Sequence, residues 1–188
     1  TVLDDTDQSF TVFAPTDDAF GALNVGALTA SDSLTGVLEY HVIPGDSLGS
    51  GDLNDEDSFT TLSGAELEVE VDGNGNVFVE GSPVTDADIT ADNGVIHGIG
   101  DKPLLGNQPL TNVLQFVSST QELLNAIGSA GGSIEGSSAG TVFAPSNTAV
   151  RNDSERVGNF TSQQVQDVLE YHTLAEENRL ADLQTKLD

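Results

Sequence analysis

Cysteine and methionine are missing from this chain, and basic residues nearly so. Without cysteine there is no disulfide and no thiolate for nucleophilic or metal chemistry. The compartment stays open, because a large enough core needs no bridges. Without methionine, even at the start, the chain reads as a processed product or an excised piece. No stretch approaches the roughly 20 apolar residues of a membrane-spanning helix, and no secretory leader is visible. Lys and Arg number 5 against 31 Asp and Glu, a formal net charge of −26, and the first basic residue is Lys102. This balance excludes nucleic acid as a partner, since phosphate neutralisation needs Lys and Arg. It also repels an anionic membrane surface.

High net charge with low hydrophobicity is the signature of disorder. Here, however, 37% of the residues are hydrophobic, and they fall in periodic blocks. The acid is therefore read as the coat of a folded protein from a halophilic source, where salt screens the self-repulsion. Transfer to low salt is expected to cost stability.

Two blocks are written twice. Thr-Val-Phe-Ala-Pro stands at 11–15 and again at 141–145, and Val-Leu-Glu-Tyr-His at 37–41 and again at 168–172. The offsets are 130 and 131 residues, so the pairs keep register and mark tandem copies of a domain-sized unit. The first copy has ten residues before its first block and the second has sixteen after its last. A first unit missing its front and a second missing its back are expected.

Local patterns supply the elements. Residues 11–14 read as a short buried strand ended by Pro15. Thr16 caps a brief helix with Asp17 and Asp18 in its first turn, where the positive helix end favours acid. Leu34, Val37, Leu38 and His41 fall on one helical stripe, which Val165, Val168, Leu169 and His172 repeat behind a Thr161–Gln164 capping box. After a polar loop at 46–58 the period becomes two: Leu67, Val69 and Val71 alternate with Glu66, Glu68 and Glu70. Asp-Gly-Asn-Gly-Asn at 72–76 is a hairpin turn, and further short strands surround Asn93-Gly94. Leu110, Val113, Leu114 and Val117 make another helical stripe, and a second helix opens at Ser119 and ends near Gly128. Each unit thus runs helices, strand, helices and a mostly antiparallel sheet, an α+β design.

In that order and spacing, Thr-Val-Phe-Ala-Pro-Thr, Val-Leu-Glu-Tyr-His-Val-Ile-Pro-Gly and Asp-Ile-Thr-Ala-Asp-Asn-Gly-Val-Ile-His resemble the fasciclin (FAS1) domain. The resemblance implies a wedge of β-sandwich with helices: 1–105 as a unit lacking its N-terminal helices, and 106–188 as the N-terminal half of a second. The helices at 109–130 would belong to the second unit or fold back onto the first. The second unit lacks the Pro-Gly that follows Tyr-His in the first. The resemblance also implies an extracellular or cell-surface adhesion module, with no general catalytic role.

Tyr40-His41 and Tyr171-His172 match a position proposed for integrin contact in animal members, and Asp88-Ile89 another adhesion dipeptide. Each has a plainer reading. The histidines end apolar stripes, where packing and hydrogen bonding are the rule, and Asp88-Ile89 reads as the start of a strand. His97 shares a strand face with Val95 and Ile99, as a core residue, a base or a metal ligand. Three histidines without ligand spacing speak against zinc. The run at 52–58 begins like a calcium loop but lacks the Gly and Glu that an EF-hand needs. No Gly-x-Ser-x-Gly occurs, and the Gly/Ser-rich 128–140 has no Lys and no phosphate-loop geometry. Asn152 and Asn159 open glycosylation sequons in one expected surface loop.

The expected function is a non-catalytic module that binds proteins or polysaccharides at a cell surface or matrix, without cofactor or metal, and that self-associates or not. The alternatives are a secreted hydrolase or metal-dependent enzyme using His41 or His97, and a structural spacer of a cell envelope.

Overall fold

Phe-Thr-Val-Phe-Ala-Pro forms the strand β1 (Phe10–Pro15), around which the first unit is built. The computed structural model of the chain describes residues 2–21, 23–29, 33–106, 108–129, 140–153 and 160–174. Its contacts separate a unit Thr1–Pro109 from a unit Leu110–Asp188. In the first, β1 leads to three short helices, α1 (Asp17–Phe20), α2 (Val25–Thr29) and α3 (Leu34–Tyr40). The strands β2 (Val42–Pro44), β3 (Ser58–Thr60), β4 (Glu66–Val71), β5 (Val77–Val79), β6 (Ser82–Ala91) and β7 (Gly94–Ile99) follow. They form one seven-stranded sheet in the order β2-β1-β7-β6-β5-β4-β3. Beyond β3, the Leu62 N–H donates to the Val42 carbonyl at 2.8 Å, so the two ends of the sheet nearly meet. Short helices set against a nearly closed sheet make the fold α+β, as expected.

The local reasons are legible. Thr16 Oγ1 accepts from the Ala19 N–H at 3.4 Å and caps α1. In β4, Leu67 and Val69 are fully buried while the three glutamates face water. Asp72 accepts from the backbone N–H groups of Asn74 and Asn76 at 2.8 and 2.9 Å, which closes the β4–β5 turn. The core gathers Phe13, Tyr40, Ile43, Leu53, Leu67, Val69, Val79, Ile99 and Leu104.

The sheet is mostly antiparallel, as expected, but β1 runs parallel beside β7, with Val12 opposite Ile96 and Phe13 opposite His97. Other expectations are corrected. The segment before Asn93 is one ten-residue strand, β6, interrupted by bulges rather than broken into short strands. Part of the polar loop at 46–58 is ordered as a 3-10 turn at Ser50–Asp52. Leu38 leaves the buried stripe of α3 and stands 54% exposed.

The second unit holds α4 (Leu110–Phe116), α5 (Gln121–Ser129), β8 (Thr141–Val142), α6 (Asn147–Asn152), α7 (Ser162–Tyr171) and β9 (Thr173–Leu174). Leu114, Leu123 and Ile127 pack with Val165 of α7, so α4 and α5 belong to this unit's core. A 3-10 turn, Ser118–Thr120, precedes α5, because the Thr120 hydroxyl bonds back to the Leu114 and Val117 carbonyls. The Thr161–Gln164 capping box forms as expected. Asn152 ends α6 and is exposed there, not in a loop; Asn159, most of 128–140 and the stretch 175–188 lie outside the described residues. Among the described residues no helix is long and apolar enough to cross a membrane.

Candidate functional site

Tyr40 and His41 close α3 and turn inward. The Tyr40 hydroxyl lies 2.9 Å from the Glu66 carbonyl oxygen and 3.0 Å from Glu80 Oε1, and donates into this pair of acceptors. The Glu80 carboxylate also accepts from the Glu68 N–H at 2.9 Å, which ties the tyrosine to β4. Only 5% of Tyr40 is exposed. It surfaces at the floor of a recess of about 300 Å³ that Gly36, Ser63, Gly64, Gly106 and Gln108 also line.

His41 is buried, and both its ring nitrogens are used. Nδ1 lies 2.7 Å from the Val37 carbonyl, and Nε2 lies 3.0 Å from the Leu104 N–H. A carbonyl only accepts and an amide only donates, so the proton sits on Nδ1 and the ring is neutral. Burial pushes the His41 pKa below its ordinary value, against a smaller upward pull from the Val37 bond. The Leu104 amide is presented by a segment that Ser82 holds, its hydroxyl 2.7 Å from both the Gly100 and the Lys102 carbonyls.

His97 is fully buried at the centre of the sheet, stacked on Phe13 with ring centroids 5.5 Å apart. Its Nε2 donates to the Leu48 carbonyl at 2.8 Å, and its Nδ1 accepts from the Asp88 N–H at 3.3 Å. By the same reasoning it is the opposite tautomer to His41. Thr11 completes the grip on Leu48: its hydroxyl accepts from the Leu48 N–H at 2.9 Å and donates to the Asp46 carbonyl at 2.8 Å.

Asp88 is not a strand start. It sits in a bulge of β6 with φ 62°, a left-handed conformation that few non-glycine residues adopt. Its carboxylate accepts from the Ser50 N–H at 2.7 Å and the Ser50 hydroxyl at 2.6 Å. The Ser50 hydroxyl, then its backbone N–H, hold Asp88 below the ordinary carboxylate range. Ile89 beside it is exposed. Thr11, His97 and Asp88 therefore fasten the chain at 46–50 across β1, β7 and β6.

Tyr171 and His172 stand differently. His172 Nδ1 bonds to the Val168 carbonyl at 2.7 Å, copying His41, but Tyr171 is 90% exposed. Sequence reasoning brought out the histidines and Asp88 but missed Thr11, Ser50 and the Leu48 backbone. Thr11 carried one signal, its place inside the doubled motif. Among the described residues, no three His, Asp or Glu side chains are grouped as metal ligands would be.

A fasciclin domain family model matches residues 1–105 and 108–187. The Synechocystis protein sll1483 is 41% identical over 96 residues, 48% of this chain and 52% of that protein. Transforming growth factor-beta-induced protein ig-h3 of Sus scrofa is 43% identical over 95 residues, 48% of this chain and 14% of its own length. The chain thus spans about half the length of the first relative and a small part of the second. A solved FAS1 domain pair from the insect cell adhesion molecule fasciclin I aligns with 97% of this chain and 71% of its own, at 19% identity and a TM-score of 0.43. With nearly the whole sequence covered by one family in two successive segments, the chain belongs to the fasciclin domain family.

Proposed function

We propose that the chain is a non-catalytic interaction module, two fasciclin-type units in tandem (1–105 and 106–188), that binds proteins or polysaccharides outside the cell or at its surface. The family match across both segments carries this reading. Its acid coat suits a salt-rich setting, and glycosylation at Asn152 and Asn159 suits export. Tyr40 and His41 serve the interior, so partner contact falls to exposed residues, Ile89 and Tyr171 among them.

A catalytic role for His41 or His97 would need a ring nitrogen open to substrate, and both nitrogens of each ring are bonded to backbone. The test is a binding screen of the full chain against cell-surface glycans and surface proteins in molar salt, with a hydrolase substrate panel beside it. Saturable binding without turnover supports the module. Inertness toward both partner classes, or turnover abolished by His97→Gln in a folded chain, overturns it.

A further inference from the structure

The recess over Tyr40 lies wholly within the first unit, and three glycines form much of its wall: Gly36 on α3, Gly64 in the turn before β4, and Gly106. Two of them answer to the backbone. Gly64 holds φ at +82° and Gly106 at +63°, where a side chain is strained. Gly36 sits inside the helix α3, where glycine is a poor residue beside alanine. Within 4 Å a Cβ there would meet Gln108 Nε2 alone, at 3.7 Å, an ordinary contact. In the second unit's copy of this helix, Asp167 fills the matching place before Val-Leu-Glu-Tyr-His. Neither the helix nor its packing calls for glycine at 36; what the missing side chain leaves is room.

That room has a definite chemistry. Charged residues make up 19% of the chain, yet among the described residues lining the recess none is charged. The Glu80 carboxylate beside Tyr40 is engaged by the tyrosine hydroxyl and the Glu68 N–H. An anion would therefore meet no base here, and the field of a −26 chain would repel it. The Ser63 hydroxyl has a fixed role. Thr61 Oγ1 donates to the Ala65 carbonyl at 2.8 Å, so in its 2.8 Å contact with Ser63 Oγ the serine is the donor. That leaves the Ser63 oxygen as an acceptor, while the Gln108 amide carries donors and an acceptor. A volume of about 300 Å³ stands at the lower end for small-molecule sites, enough for one ring. We propose that the recess binds a single neutral hexopyranose unit. One sugar hydroxyl donates to Ser63 Oγ, others pair with the Gln108 amide, and the C–H face lies on the glycine wall at Gly36. This inference rests on the polysaccharide branch of the reading above and gives it a place.

The test is an amide chemical-shift titration of the nitrogen-15-labelled full chain in molar salt. The probes are the methyl pyranosides of glucose, galactose and mannose, each beside the uronic acid of the same sugar. The expected result is saturable shifts for one methyl hexoside at Gly36, Gly64, Gly106 and the Gln108 side-chain amide. Its uronic acid should bind about tenfold more weakly or less. Gly36→Leu fills the room and should abolish these shifts without lowering the urea midpoint of the first unit. Gly36→Ala, the milder filling, should weaken binding in a helix that is no less stable. Ser63→Ala removes the acceptor and should weaken binding about three- to tenfold. Three results overturn the proposal: no saturable shifts at these positions with any of the three hexosides, equal binding of the uronic acid, or undiminished binding by the folded Gly36 variants. Sugar-induced shifts confined to the surroundings of Ile89 or Tyr171 would overturn the recess and leave the interaction module standing.

Discussion

Gly106 lies flat against the ring of Tyr40: a Cβ built there would stand 2.8 Å from Tyr40 Cγ, and the glycine holds φ at +63°. Both facts forbid a side chain. Gly106→Ala should therefore cost about 1–2 kcal/mol for the left-handed backbone and about 1–3 kcal/mol for overpacking. Urea unfolding of the first unit is the measurement. Tyr40 should become reactive to nitration at a lower midpoint than in the parent.

Gly94 makes a harder demand. A Cβ there would come 2.1 Å from the Phe10 carbonyl oxygen, across the parallel β1–β7 pair. Gly94→Ala should lose soluble, cooperatively unfolding protein, while Gly73→Ala, with open space around it, should behave as the parent. Equal stability of the two variants would contradict the β1–β7 register.

Thr11→Val removes both bonds that the threonine makes to 46–48 and leaves the Leu48 amide without its acceptor. The expected loss is about 1–3 kcal/mol for the orphaned group, with faster hydrogen exchange at Leu48 and unchanged exchange in β4. Leu48 alone should respond if the grip is local.

How much of this was legible beforehand depended on the range of the interaction. The Thr16 cap, the alternation of β4 and the Thr161–Gln164 box lie within a few residues of sequence, and each formed as expected. The parallel pairing of β1 with β7 joins strands some 80 residues apart and leaves no local pattern. The inward turn of His41 could be read from the end of an apolar stripe, but its Leu104 partner could not. Asp88 was hidden for another reason: a left-handed bulge at a non-glycine residue has no composition signal. Leu38 misled because periodicity names a stripe without saying what covers it; Leu169, at the matching position, packs against the helical core of the second unit.

Acid should lower the stability of the first unit in two steps. The His41 pKa is lowered in the folded state, so the unfolded chain binds the proton more readily. The stability is complete above the ordinary value of 6.5 and is lost as pH falls from there through the lowered folded value. The slope is at most about 1.4 kcal/mol per pH unit. Asp88, Glu66 and Asp72 are also lowered, by bonds from Ser50, from Thr60 and Ser58, and from Asn76 respectively. Their share is present above the ordinary carboxylate range and lost below it. Urea midpoints against pH should fall first below neutrality and again in the carboxylate range, and His41→Asn should remove the first fall.

Salt should stabilise both units. With −26 net charge, self-repulsion is screened as the Debye length shrinks from about 10 Å at 0.1 M to about 3 Å at 1 M. Thermal midpoints should rise with sodium chloride; a flat or falling midpoint would remove the reason given for the acid coat.

The most direct test of the claim that the motif histidines build the interior is a long-range proton–nitrogen correlation spectrum of the imidazole rings at neutral pH. The expected result is two fixed and opposite tautomers in the first unit, His41 protonated on Nδ1 and His97 on Nε2. Rings that average over both tautomers at these two positions would contradict it.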